Sequence, residues 1–212
     1  MLNAKLLAAT SGVIPISYVD NSNSGSSNAS FSSNVCTIPL VTSGIQTGDL
    51  YIVSVFTGNN GYTFSSVTSG WTVIYSDSPG TPDIGGCIAY KFVTGGEGSS
   101  MTVTGTGTFG SGSSSCVVFR GVSAIGNYNG QYSTNPTVTP QGGDSAAVFI
   151  CCDESSSNVD IPAPSGYTEI FDTTYATTTA KQHAISYDLD PANFSPNITM
   201  TGRYAMLIEL KE

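Results

Sequence analysis

Residues able to do catalytic chemistry are few in this sequence of 212 amino acids. His183 is the single histidine, so any Ser-His-Asp or Cys-His site must use it. The sequence contains no Gly-x-Ser-x-Gly motif, and no carboxylate near His183 in the sequence is marked as its orienting partner. We interpret His183 as a surface or packing residue at a strand edge. A hydrolase that uses His183 stays open as one functional class, beside the two non-enzymatic classes described below.

Metal, phosphate and sugar-cleaving motifs are equally weak. Asp20–Gly25 has the Asp and Gly spacing of a calcium loop, but Phe31 stands where the bidentate Glu is needed, which favours a flexible Ser/Asn linker. Asp153 and Glu154 precede a Ser-rich stretch and are expected in a solvated loop. Gly95–Gly98 leads toward a predicted strand instead of the helix that a phosphate loop requires. We predict no catalytic, cofactor-binding or metal-binding residue.

The cysteines are odd in number and have no CxxC spacing, and most lie in apolar stretches. They are Cys36, Cys87, Cys116, Cys151 and Cys152. This pattern predicts buried free thiols that act as small hydrophobic side chains in a protein made in a reducing cytosol.

Charge and hydropathy exclude two classes of partner. Fifteen acidic residues against six basic ones give a net charge of −9, with no basic cluster to neutralise phosphates, so we expect no nucleic-acid binding. The longest apolar run, Ala146–Cys152, is far shorter than the roughly 20 residues of a membrane helix. The apolar stretch Leu6–Ala9 is too short for a secretory signal, so we expect synthesis in the cytoplasm without export.

Short alternating or apolar segments, bounded by Gly, Ser, Asn, Asp or Pro, recur along the whole chain, which is typical of an antiparallel all-β protein. The predicted strands are Ile14–Val19, Val35–Leu40, Leu50–Thr57, Trp71–Tyr75, Cys87–Val93, Met101–Thr106, Cys116–Val122, Thr137–Thr139, Ala146–Cys152, Tyr167–Phe171, Ala184–Leu189, Ile198–Thr201 and Tyr204–Leu210.

Five of these segments recur in the same order further along the chain, which indicates an internal repeat. The pairs begin at Gly48 and Gly143, Ser69 and Ser165, Ile88 and Ile185, Met101 and Asn197, and Cys116 and Ala205, at offsets of 95, 96, 97, 96 and 89 residues.

The repeat predicts the domain organisation. Two similar halves, at about 34–122 and 135–212, are expected to pack face to face as one antiparallel, jelly-roll-like β-sandwich of about ten or more strands over residues 34–212. Two separate domains are the alternative, disfavoured because no long polar linker divides the halves. Residues 1–33 are predicted to form an N-terminal arm and Ser/Asn-rich linker, and a frayed terminus is the alternative to the arm.

The strand and turn patterns, over residues 35 to 210, resemble a β-sandwich module of tailed-bacteriophage virion proteins. The matching motifs are Thr47–Val55, Ser69–Thr72, Ala89–Val93, Met101–Thr104 and Val117–Val122. The resemblance implies a non-enzymatic capsid decoration (cement) protein on the outer surface of the virion, bound to the major capsid protein or other virion proteins. It also implies a homo-oligomer, with a homotrimer favoured, because decoration proteins often occupy three-fold lattice positions. In a virion protein of this kind, we expect the N-terminal arm to anchor the protein to a shell or to a neighbouring subunit.

The competing class is a tail or head fibre appendage that binds a receptor or carbohydrate. Exposed aromatic rings could stack on sugars, and Tyr62, Trp71, Tyr128 and Tyr132 are the candidates. The segment Asn127–Tyr132, predicted as a loop between the halves, is the best local site.

Overall fold

The structure is a computed structural model that describes residues 14–24, 30–32, 34–57, 63–77, 85–107, 112–153, 160–174, 182–191, 194–199 and 202–212. Within these ranges the chain forms fourteen strands and no helix, and every strand pairing is antiparallel. The all-β prediction is confirmed.

The strands follow the chain in this order: β1 Ser17–Ser24, β2 Ser30–Ser32, β3 Val35–Pro39, β4 Leu50–Thr57, β5 Thr63–Val67, β6 Thr72–Asp77, β7 Gly85–Phe92, β8 Ser100–Thr106, β9 Gly112–Arg120, β10 Ala124–Tyr132, β11 Ser145–Asp153, β12 Thr168–Thr174, β13 Gln182–Asp188 and β14 Arg203–Lys211.

These strands make three sheets. The first inner sheet has the order β1-β9-β4-β7-β6, and the second inner sheet has the order β10-β14-β11-β13-β12. The outer sheet has the order β2-β3-β8-β5. The central strands β4 and β11 are buried along almost their whole length, which explains why they read as continuous apolar runs and not as alternating ones.

One core cluster contains residues from both inner sheets. Leu50 and Ile52 of β4 belong to it together with Val148 and Ile150 of β11. The next residue of β4, Val53, belongs to a different cluster, because successive side chains of a strand point to opposite faces. The two inner sheets therefore share one apolar layer.

The outer face of the first inner sheet is covered by the outer sheet. Cys36 and Ile38 of β3 and Met101 and Val103 of β8 share a cluster with Val53. Strand β8 alternates buried and half-exposed residues, so only one of its faces is covered. This is the pattern that predicts a strand lying over a core.

No described strand covers the outer face of the second inner sheet. Val138, Ile161 and Phe194 cover it from segments without strand structure. The predicted strand Thr137–Thr139 is therefore wrong, and residues 198 and 199 of the predicted strand Ile198–Thr201 are also outside any strand. Between these two segments the side chain of Asn135 bonds the backbone N–H and C=O of Ile198, the groups that a backbone ladder would use.

The segment Asn127–Tyr132, predicted as a loop, belongs to strand β10, so the loop prediction is wrong. Strand β10 pairs with β14 and has a bulge between Ile125 and Tyr128. Gly and Asn disfavour strands locally, but pairing with the fully buried part of β14 decides the conformation. In the bulge, the backbone N–H of Asn127 donates to Glu209 Oε2 at 2.9 Å.

The N-terminal segment contributes to the first inner sheet. Ser17–Ser24 forms β1 along β9, Ile16 is buried in the shared core, and Tyr18 stacks on Tyr187 at 5.2 Å between ring centroids. The linker prediction for Asp20–Gly25 is wrong for residues 20–24, which lie in β1. Residues 1–13 and 25–29 lie outside the described ranges.

Candidate functional site

The side chain of His183 lies in a buried polar cluster with the hydroxyl groups of three serines. Nε2 lies 2.9 Å from Ser54 Oγ and Nδ1 lies 2.9 Å from Ser113 Oγ, while Ser54 Oγ lies 3.0 Å from Ser115 Oγ. His183 is on β13, and the serines are on β4 and β9. The cluster therefore links the two inner sheets across their shared layer.

The surroundings of His183 keep its imidazole neutral. It is 0% exposed, and the rings of Phe56 and Phe171 lie edge-on at 4.9 and 5.2 Å. Burial lowers the pKa of His183 to about 3. A neutral imidazole has one donor and one acceptor nitrogen, and both nitrogens contact serine hydroxyls.

This geometry differs from that of a catalytic triad. In a triad one imidazole nitrogen is bonded to a carboxylate, and the nucleophile is accessible to substrate. Here both nitrogens face serines, and Ser54 and Ser113 are 0% exposed. Of the two predicted roles for His183, packing is confirmed and the surface position is wrong. The predicted position at the edge of a strand is confirmed, because His183 is the second residue of β13.

One Arg–Asp pair lies at each of the two inner sheets. Arg120 Nε and Nη2 donate to the two carboxylate oxygens of Asp49 at 2.9 and 2.8 Å, next to the start of β4. Arg203 Nε donates to Asp153 Oδ2 at 2.8 Å, and both residues are buried. The prediction that Asp153 lies in a solvated loop is wrong, and Glu154 lies outside the described ranges.

Two glutamates hold loops through backbone N–H groups. Glu209, 0% exposed, accepts from the N–H groups of Asn127 and Gln141 and from the Ser145 hydroxyl at 2.9 to 3.0 Å. Glu97 accepts from the backbone N–H groups of Thr94 and Gly95. The Thr94 bond is the main reason that the pKa of Glu97 falls to about 2.

A pocket of about 210 Å³ lies beside Glu97, between the β3–β4 and β7–β8 loops. Thr42, Gln46 and Tyr51 line it, but the Tyr51 hydroxyl donates to Val41 O at 2.7 Å. The Glu97 carboxylate is occupied by its own loop and by Lys91 Nζ at 3.3 Å. The sequence after Gly95–Gly98 continues into β8, as predicted.

Asp172 and Asp160 form a carboxyl pair on the second inner sheet that sequence reasoning missed. Burial, together with the hydrogen bond to Asp160, raises the pKa of Asp172 to about 6. Asp172 Oδ2 accepts from the N–H of Ile161 at 3.0 Å, and Oδ1 is buried without a hydrogen-bond partner. The described part of the chain holds no group of three or more His, Cys, Asp or Glu residues able to bind a metal ion.

All five cysteines are free and buried, which confirms the prediction of buried thiols. Burial raises the pKa of Cys36, Cys87 and Cys116 to about 12, so these thiols stay protonated and unreactive at neutral pH.

The predicted sugar-stacking aromatics are placed differently from one another. Tyr128 and Tyr132 on β10 are 47% and 41% exposed. Trp71 is half-buried and stacks on Tyr51 at 6.0 Å, and Tyr62 lies outside the described ranges. The exposed candidates are thus two tyrosines on one edge strand.

The chain was compared with models of protein families, with curated proteins and with solved structures, and none of them matched. No helix in the described ranges is long and apolar enough to cross a membrane.

Proposed function

We propose that this protein is a non-enzymatic structural protein of a tailed-bacteriophage virion. In this proposal it is a decoration (cement) protein that binds the major capsid protein on the outer surface and stabilises the shell. The resemblance of its strand and turn motifs to virion β-sandwich modules supports the proposal. The small share of charged residues, 10% of the sequence, also supports it, because charged groups are depleted from the centres of protein interfaces.

The observation that carries the proposal is the use of the polar side chains inside the fold. His183 and its serines link the inner sheets, Asp153 and Arg203 pair in the interior, and Glu209 holds β10 and its neighbouring loop. Side chains engaged in this way stabilise layers and are unavailable to a substrate. The arrangement fits a protein whose function is to stay folded and to present surfaces.

We further propose that the two inner sheets are the two repeated halves of one jelly-roll-like sandwich. Strands β4, β6, β7 and β9 hold the same places in the first inner sheet as β11, β12, β13 and β14 hold in the second. These strands correspond to the repeated sequence motifs. A homotrimer on three-fold lattice positions remains the proposed assembly, from the resemblance and from the preference of oligomers for closed symmetry.

Cryo-electron microscopy of the native particle tests the location. Density for this sandwich at many symmetry-related positions on the capsid lattice is the expected result. Density confined to the tail or to one vertex would exclude a decoration role. Particles that lack the protein should then lose their contents at a lower temperature than complete particles.

The anchoring role of the N-terminal segment can be tested separately. Deletion of residues 1–12 stops before Ile16, the first residue of the shared core, and before β1. The shortened protein is expected to fold with the thermal stability of the full chain and to lose binding to particles. Unchanged particle binding would contradict the anchor proposal.

The second candidate function is an appendage module that binds a host receptor or carbohydrate, and the exposure of Tyr128 and Tyr132 favours it. Exposed tyrosine rings can stack on sugars. Glycan-array binding that is lost in Tyr128→Ala and Tyr132→Ala would support this role. Val73→Ala is the matched control, because Val73 is 40% exposed on β6, an edge strand of the other inner sheet.

A further inference from the structure

Strand β10 is an unusual edge among the described strands. It ends the order of the second inner sheet and pairs there with β14 alone. The edge strands β1, β6 and β12 contain Asp20, Asp77, and Glu169 with Asp172. The nine residues of β10 include no charge and no proline, while the other uncharged edges, β5 and β2, have five and three residues. Charges and prolines are the usual features that stop edge strands from pairing with other chains.

The exposed end of β10 has a symmetric order of residue types. From Tyr128 to Tyr132 it reads tyrosine, asparagine, glycine, glutamine, tyrosine. The two tyrosines and Gly130 lie on one face of the strand, and the two amide side chains lie on the other. Gln131 Nε2 donates to Asn129 Oδ1 at 3.0 Å, which fixes both amides. Gly130 itself is required within the chain, because a Cβ there would collide with the Tyr204 hydroxyl.

We propose that β10 pairs antiparallel with β10 of a second copy of this chain, about a two-fold axis at Gly130. In this register Tyr128 lies opposite Tyr132 of the second copy, and Asn129 lies opposite its Gln131. The tyrosine pair, aromatic with aromatic, is of a kind that stabilises antiparallel strands, and the amide pair brings no charge to the contact. The second inner sheets of the two copies then form one continuous ten-stranded sheet.

The lack of charge is the reason for choosing a second copy as the partner. Each copy carries a net charge of −9, so two copies repel each other wherever acidic edges meet. At β10 no like charges oppose one another across the axis. An isologous contact also needs a surface that is complementary to itself, which the symmetric residue order provides. This inference does not depend on the virion role, and it is a separate contact from any three-fold contact within a trimer.

The contact is small, so we expect a monomer–dimer equilibrium that depends on protein concentration. Sedimentation velocity of the full chain across a range of concentrations should show a growing dimer fraction. Added salt should increase that fraction, because it screens the repulsion between two acidic copies. A monomer at every concentration and salt level would overturn the proposal.

The register can be tested by disulfide trapping. Directly opposed residues of antiparallel strands lie within the distance that a disulfide spans. A mixture of Tyr128→Cys and Tyr132→Cys chains should form a covalent dimer under mild oxidation, whereas either variant alone should not. The five native cysteines are buried and do not compete in the folded protein. Equal yields of covalent dimer from one variant alone would overturn the proposed register.

A charge placed on the edge gives a second test with a matched control. Gln131→Lys should abolish the dimer at concentrations where the original chain dimerises, with an unchanged thermal midpoint. Val73→Lys, on edge strand β6, should leave dimerisation unchanged. If instead the original chain stays monomeric and its β10 tyrosines bind glycans, the edge is a carbohydrate surface and the pairing proposal is wrong.

Discussion

The two inner sheets arrange their strands in the same order, but their outer faces are covered in different ways. On the first, strand β3 pairs with β8 over five consecutive residues, from Val35 to Pro39. On the second, Val138 and Phe194 provide a single backbone bond at 3.0 Å, and the side chain of Asn135 bonds the backbone N–H and C=O of Ile198. A side-chain amide there takes the place of backbone pairing.

The Arg–Asp ion pairs of the two inner sheets also differ, in how far the arginine is buried. Arg120, which pairs with Asp49 on the first inner sheet, keeps 28% of its side chain exposed, whereas Arg203 keeps 5% exposed beside Asp153. The second inner sheet therefore depends on buried polar side chains where the first depends on a backbone ladder. The comparison teaches that one strand order can be completed by two kinds of covering, a backbone ladder or side-chain contacts.

The largest expected effect is that of Arg203→Ala. The substitution removes the guanidinium that pairs with Asp153, a carboxylate that is only 2% exposed. Loss of one partner of a buried pair costs about 3–5 kcal/mol of unfolding free energy. Urea unfolding followed by circular dichroism measures the loss.

Arg120→Ala is the control on the first inner sheet. Because the Arg120 guanidinium is partly solvated, its removal is expected to cost clearly less than that of Arg203. Equal losses would contradict the contrast between the two sheets. The double change Arg203→Met with Asp153→Leu should recover much of the stability that Arg203→Ala loses.

The next effect concerns the layer that both sheets share. The pKa of His183 is about 3 in the folded protein and about 6.5 in an unfolded chain. As pH falls below 6.5, the unfolded state binds a proton that the folded state does not, so the contribution of His183 to stability is lost toward pH 3. Between pH 7 and pH 5 the loss is about 2 kcal/mol.

The variant His183→Gln separates the pH-dependent contribution of His183 from those of the other titrating groups. Asp172 acts in the opposite direction, because its pKa of about 6 makes the folded state gain a proton first and gain stability as pH falls toward 3.8. Asp172 contributes equally to both chains, so its contribution drops out of the difference in unfolding free energy between the original chain and His183→Gln. That difference should shrink by about 2 kcal/mol from pH 7 to pH 5. A constant difference would mean that His183 binds its proton equally well in the folded and unfolded states.

The smallest expected effect is that of Asn135→Ala. It removes the side chain that bonds Ile198 and leaves the Ile198 N–H without its partner, at a cost of about 1–2 kcal/mol. Thr37→Ala in β3 is the matched control, because the backbone pairing of β3 with β8 does not need that side chain. A comparable loss from Thr37→Ala would contradict the proposed difference in covering.

Much of the fold could be predicted from the sequence, because period-two patterns and turn residues are local signals. The runs at Leu50–Thr57 and Ala146–Cys152 became the buried central strands β4 and β11. The errors occurred where pairing overrides local preference. Asn127–Tyr132 contains Asn and Gly, yet it forms β10 because β14 lies beside it.

The polar contacts could not be predicted, because they join residues far apart in the chain. His183 bonds Ser54 and Ser113 across 129 and 70 positions. One local signal was available, the serines 113–115 directly before the apolar run at Cys116. Small hydroxyl residues inside a buried strand indicate that polar groups must find partners in the interior.

The most direct test of the contrast between the two outer faces is native-state hydrogen exchange followed residue by residue. Amides of β4 and β11 provide the reference for global unfolding. The account predicts that the β3 and β8 amides exchange close to that limit, and that the N–H groups of Val138 and Ile198 exchange much faster through local opening. Equal protection of the two coverings would contradict the claim that the second inner sheet is covered by side-chain contacts in place of a backbone ladder.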